Sequence, residues 1–212
     1  MRRFLIRAAV ALYAFTAGVL AAGILGSPRH QPTRWFSEKQ TISSYSAALL
    51  YTCCLLSAFN YLTTKDCRPR SGLPCRIKRF WALAVAGFFL LMLDEYFVLH
   101  EGLDNLFTYR LLGLTPSPFL DKLDVLVLVA YGVVALGFLT YYRQELRAVR
   151  GFFGFIAAGG IFAAVSLGLD LLDDTVAKVY VEEGTKIFAN ASFVLACLTA
   201  AAKNYVSIQA RH

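Results

Sequence analysis

Apolar and polar positions along this chain fall into long blocks rather than into the short periods of a soluble core. Six apolar runs stand out, at roughly 4–25, 41–62, 79–100, 119–142, 151–172 and 180–202, separated by short polar connections. Each comes near the ~20 residues that a helix rising ~1.5 Å per residue needs to cross a ~30 Å hydrocarbon core. A segment inside lipid must satisfy its own backbone hydrogen bonds, and runs of this length do so as helices. The pattern predicts an all-α integral membrane protein: a bundle of about six transmembrane helices forming one polytopic domain over residues 1–212.

Composition agrees with that expectation. Hydrophobic residues make up 58% of the 212 and charged residues 17%, against ~25% charged in a typical soluble domain. The net charge of +7 would suit nucleic acid, but the basic residues sit in short clusters between apolar runs, as cytoplasmic loops do. Membrane lipids are therefore the expected surroundings, and nucleic acid is not an expected partner.

The clusters also orient the chain. Arg2, Arg3 and Arg7 precede the first run, Lys65, Arg68, Arg70, Arg76, Lys78 and Arg79 fill the second connection, and Arg143, Arg147 and Arg150 fill the fourth. The third connection has only Arg110 and the fifth only Lys178, while the first, with Arg29, Arg34 and Lys39, is a partial exception. Lys and Arg in short loops stay inside, so both termini are expected in the cytoplasm and the protein in the plasma (inner) membrane. The first run, with Met1-Arg2-Arg3 before it and Ala21-Ala22-Gly23 near its end, also has features of a signal peptide. Its length favours a retained helix, and the orientation of the rest does not depend on the choice.

With that orientation, the acidic residues converge. Asp94, His100, Glu101 and Asp104 close the third segment, Asp121 and Asp124 open the fourth, Asp170, Asp173 and Asp174 close the fifth, and Glu182 and Glu183 open the sixth. All of these ends face outward. A carboxylate held in or near hydrocarbon is costly and commonly marks function.

The string from Leu93 to Asp104 is the most distinctive. If it stays helical, at ~100° per residue, Asp94, His100, Glu101 and Asp104 share one face, with Glu95 on the other flank, free for a different contact. Asp94 lies deepest and needs a cation, several donors or a proton. Carboxylates with one imidazole suit zinc, manganese, iron or calcium. At the start of the fourth helix, Asp121 and Asp124 also complement the helix dipole, whereas Asp170, Asp173 and Asp174 at a C-terminus oppose it. On the sixth helix Glu182, Glu183, Lys186 and Asn190 form a polar stripe that should face the bundle, with Lys186 neutralising Glu182 or Glu183. The expected metal ligands are Asp94, His100, Glu101, Asp104, Asp124, Asp170, Asp174 and Glu183, with Glu101 and Glu183 as proton-moving groups. On the fifth helix, Gly160, Ala164 and Gly168 recur every four residues and predict a small-residue face against a neighbouring helix.

Other chemistries fare worse. A haem held by two histidines is not expected, since His30 lies in a loop and His212 at the terminus, and no nucleotide motif is present. Retinal is not expected either: Lys186 lies near a helix end, and there is one helix too few. Membrane hydrolases related to alkaline ceramidases set several histidines around zinc; with one usable histidine here, no family is claimed. The five cysteines make no CxxC pair, and Cys67 and Cys75 bracket a basic loop expected in the reducing cytoplasm.

Three functions follow, in this order. The first is a metal-dependent hydrolase of a lipid or lipid-linked substrate at the outer leaflet, lacking a recognisable nucleophile. The second is a cation or proton transporter or channel, against which the inner helix halves offer few ionisable groups. The third is a non-catalytic structural or assembly subunit with a protein partner. Whether the chain is an enzyme stays open at this level.

Overall fold

A computed structural model describes residues 2–28, 31, 33–36, 41–64, 76–97, 99, 124–172 and 175–209. The described chain is helical: α1 (Arg2–Gly26), a 3-10 turn (Arg34–Phe36), α2 (Thr41–Thr63), α3 (Arg76–Phe97), α4 (Asp124–Tyr141), a short α5 (Arg143–Leu146), α6 (Phe152–Asp170) and α7 (Val176–Gln209). Five of these helices are long and apolar enough to cross a membrane, and α4 is a shorter apolar helix. Each of the six expected segments has its helix. The last one outruns its apolar stretch: at ~1.5 Å per residue the 34 residues of α7 reach ~51 Å, so both polar ends project beyond a ~30 Å core.

The centre of the bundle is α7. Small side chains make this possible, because Gly184, Ala189, Ala191, Ser192, Ala196, Ala200 and Ala201 are buried along it, and small residues let neighbouring backbones come close. Its most extensive neighbours are α6 and α2, then α1, while α3 packs on α2. On α1, Tyr13 hydroxyl meets Ser192 Oγ at 2.8 Å and Leu20 lies over Gly184, so the two helices are antiparallel. On α2, Ser46 pairs with Asn190 and Asn60 with Asn204, so those two are parallel. On α6, Ser166 Oγ donates to Glu182 O at 3.1 Å, and Gly151 lies beside Thr199 at the far end; this pair is antiparallel again.

These pairings make the helices alternate in direction, so the start of α1 and the end of α7 lie at the same end of the bundle. That end carries Arg7, Arg76, Arg143, Arg147, Arg150 and Lys203. It is closed by a knot of rings in which Phe80, Trp81, Tyr142 and Phe152 meet edge to face. Arg76 Nε binds Glu145 Oε1 at 3.1 Å. Gly151, at φ +88°, provides the left-handed turn into α6 that a residue with a Cβ adopts only with strain. The opposite end carries Asp94, Glu95, Asp170, Glu182 and Glu183.

One expectation is corrected here. Gly160, Ala164 and Gly168 face no neighbouring helix among the described residues; all three are exposed, and a Cβ on Gly160 or Gly168 would meet nothing within 4 Å. The close approach is one residue earlier. A Cβ on Gly159 would fall 2.5 Å from Phe193 Cε1 and 3.1 Å from Ala189 O. A step of one residue turns a helix by ~100°, and only the partner helix reveals which small residue it packs upon.

Candidate functional site

The acidic end is built on a register that the apolar residues set. Phe88 of α3 and Phe193 of α7 pack together with ring centres 6.3 Å apart and planes tilted by 48°. Glu95 lies seven residues beyond Phe88 and Lys186 seven residues before Phe193, and two antiparallel helices keep facing each other after two turns. The charges are thereby brought together: Lys186 Nζ lies 3.2 Å from Glu95 Oε1 and 2.7 Å from Glu183 Oε1.

A second lysine completes the cluster. Lys178 Nζ is 3.3 Å from Glu182 Oε2, one turn away, and 3.9 Å from Asp170 Oδ1 at the end of α6. Lys186 also acts electrostatically on Glu182, and Glu95 on Glu183, so the two groups form one network tying α3, α6 and α7. Among the described residues, four carboxylates thus share two ammonium groups. Glu183 is only 9% exposed. Its Oε1 accepts a hydrogen bond from Lys186, while its Oε2 is buried with no hydrogen-bond partner among the described residues. Glu95 Oε1 lies against Lys186 as an ionic contact without hydrogen-bond geometry.

Asp94 is 4% exposed and interacts electrostatically with Tyr131 of α4. One residue from Glu95, it points ~100° away around α3.

Of the residues singled out in the sequence, Asp94, Asp170, Glu182, Glu183, Lys186 and Asn190 are described. Glu183 and Lys186 come together as expected; Glu182 pairs instead with Lys178. Glu95, set aside on the other flank of α3, is the residue that crosses to α7. Its signal in the sequence was Lys186, a cation in an apolar helix for which one local acid leaves excess bonding capacity. Asp170 and Glu183, expected as metal ligands, are engaged by lysines, and among the described residues no three His, Cys, Asp or Glu side chains group closely enough to hold a metal ion. His100, Glu101, Asp104, Asp121, Asp173 and Asp174 lie outside the described residues, as does the side chain of Asp124.

Below the cluster a polar seam runs through the bundle between α2 and α7. Asn190 Nδ2 donates to Ser46 Oγ at 2.8 Å. Ser57 Oγ lies 3.7 Å from Cys197 Sγ, and Asn60 Nδ2 donates to Cys197 O at 3.1 Å. Asn204 Nδ2 donates to Asn60 Oδ1 at 3.1 Å. The sequence signal for this seam was a seven-residue repeat, Glu183, Asn190, Cys197 and Asn204 on one helix and Ser46, Cys53 and Asn60 on the other. Its neutral groups satisfy one another, which costs less in lipid than leaving any of them alone.

The family model described as Domain of unknown function (DUF8692) matches residues 5–201, so the chain belongs to that family. No curated protein and no solved structure matches it.

Proposed function

We propose that this DUF8692 member is a multi-pass plasma-membrane protein, both termini cytoplasmic, whose outward end binds a cation. The observation that carries the reading is Glu183, 9% exposed, whose Oε2 has no hydrogen-bond partner among the described residues, in a cluster where four described carboxylates share Lys178 and Lys186. An anionic oxygen kept from water and from donors is costly, and a bound cation offsets that cost most directly. His100, Glu101 and Asp104 follow Asp94 closely in the chain and are the proposed source of further ligands.

The reaction we assign to such a cation is hydrolysis of a lipid or lipid-linked substrate at the outer leaflet. The ion would polarise the scissile group, and Glu101 or Glu183 would move the proton. Transport is the weaker reading. The seam below the cluster is made of neutral groups hydrogen-bonded to each other, so it offers no ionisable stepping stones for an ion.

The test is metal content and uptake. Protein purified without chelator is analysed for zinc, manganese, iron and calcium, then stripped and titrated with each ion. One ion per chain is expected, with affinity falling ~10- to 100-fold in Glu183→Gln. Wild-type protein that carries none and takes up none sinks the reading.

A further inference from the structure

The α2–α7 seam repeats, and its middle layer is a pair of thiols. Ser46 with Asn190 and Asn60 with Asn204 are joined by direct hydrogen bonds across the same sequence offset of 144 residues. Parallel helices hold such a register over seven residues, because seven steps of ~100° come within ~20° of two full turns. Cys53 and Cys197 stand at the same offset, seven residues from each of those pairs, and so must face each other between them. Cys197 Sγ lies 3.7 Å from Ser57 Oγ, one turn beyond Cys53 on α2; both cysteines are free thiols, and they are 0% and 2% exposed. Cys54, the next residue, turns to the other neighbour and donates to Val85 O of α3 at 3.6 Å.

A disulfide needs facing cysteines with Cα atoms ~4.4–6.8 Å apart, a closeness that small residues along a helix seam favour. We propose that Cys53 and Cys197 are a redox pair whose disulfide ties α2 to α7. In the step, two S–H bonds break and one S–S bond forms. The two electrons and two protons pass to a lipid-soluble quinone, which leaves as the hydroquinone. A lipid-soluble oxidant is chosen because the pair lies near the middle of both helices, at the depth where such an oxidant dissolves and a water-soluble one does not. The bond would fix the α2–α7 register one heptad below the Ser46–Asn190 layer, next to which Lys186 and Glu183 begin the charged cluster.

The experiment uses the full chain in lipid vesicles and a fully substituted benzoquinone, which cannot add to thiols. After treatment the protein is denatured, its free thiols alkylated and its peptides weighed. The expected product is a linked peptide pair carrying Cys53 and Cys197, lighter by two hydrogens and reversed by dithiothreitol. A variant with Cys54→Ser, Cys67→Ser and Cys75→Ser should give the same bond, and adding Cys53→Ser should abolish it. The proposal is overturned if Cys53 and Cys197 stay alkylatable after quinone treatment. Linkage of Cys197 to Cys54, or between two chains, overturns it as well.

Discussion

Replacing Gly159 and Gly160 in turn by alanine separates packing from helix propensity within α6. Both positions lie in the interior of the helix, so each substitution gains a similar ~1 kcal/mol from the loss of glycine's backbone freedom. Their surroundings differ. The new Cβ at Gly159 would fall 2.5 and 2.8 Å from Phe193 Cε1 and Cδ1 and 3.1 Å from the backbone oxygen of Ala189, whereas at Gly160 it would meet nothing within 4 Å. Phe193 cannot swing aside freely, because its ring lies against Phe88 with centres 6.3 Å apart. Overpacking of this kind costs ~1–3 kcal/mol. The propensity gain cancels in the comparison, so Gly159→Ala should be less stable than Gly160→Ala by that amount, or ~5- to 150-fold in the unfolding constant. Reversible unfolding in mixed micelles, followed by circular dichroism or tryptophan fluorescence, measures the difference. Equal stabilities, or Gly160→Ala as the weaker variant, would refute the placement of Gly159 against α7.

Two further outcomes concern the acidic end. Lys186→Met removes the cation shared by Glu95 and Glu183; breaking a fully buried pair costs ~3–5 kcal/mol, and since the lysine side chain is 32% exposed, ~1–3 kcal/mol is expected after allowance for screening. Adding Glu183→Gln should restore part of that loss in the same unfolding assay, and no recovery would remove the charge explanation. Single cysteines placed at Leu172 and Gln209, in a background lacking the native ones, test the orientation. An impermeant maleimide applied to intact cells should label Leu172→Cys and leave Gln209→Cys unlabelled until the cells are opened, and the reverse pattern would invert the topology.

Much of the fold was legible in the sequence because the bilayer imposes one length scale on every segment. Six apolar runs became six helices, five of them long enough to cross a membrane, and their alternation gathers Asp94, Glu95, Asp170, Glu182 and Glu183 at one end and most of the described basic residues at the other. The site was legible in part. Glu183 and Lys186 are three residues apart on one helix, and their pairing is local. Glu95 was missed because its partner lies 91 positions away, and nothing in α3 alone says which flank will meet α7. Lys178 was read as a topological marker, yet it binds Glu182 and approaches Asp170.

The sequence by itself determined that the chain is helical and roughly where its long apolar helices run, and with them the end at which each described charge sits. These follow from hydrophobic thickness and loop length, which act on each segment separately. Only the tertiary structure decided which faces meet: that α7 is central, that Gly159 and not Gly160 packs on it, that Glu95 reaches Lys186, and that Cys53 faces Cys197. Rotation about a helix axis costs little in lipid, where apolar side chains are equally content on every side. What selects one rotation is the pairing of polar groups and the fit of small residues between helices, and both are properties of two segments together.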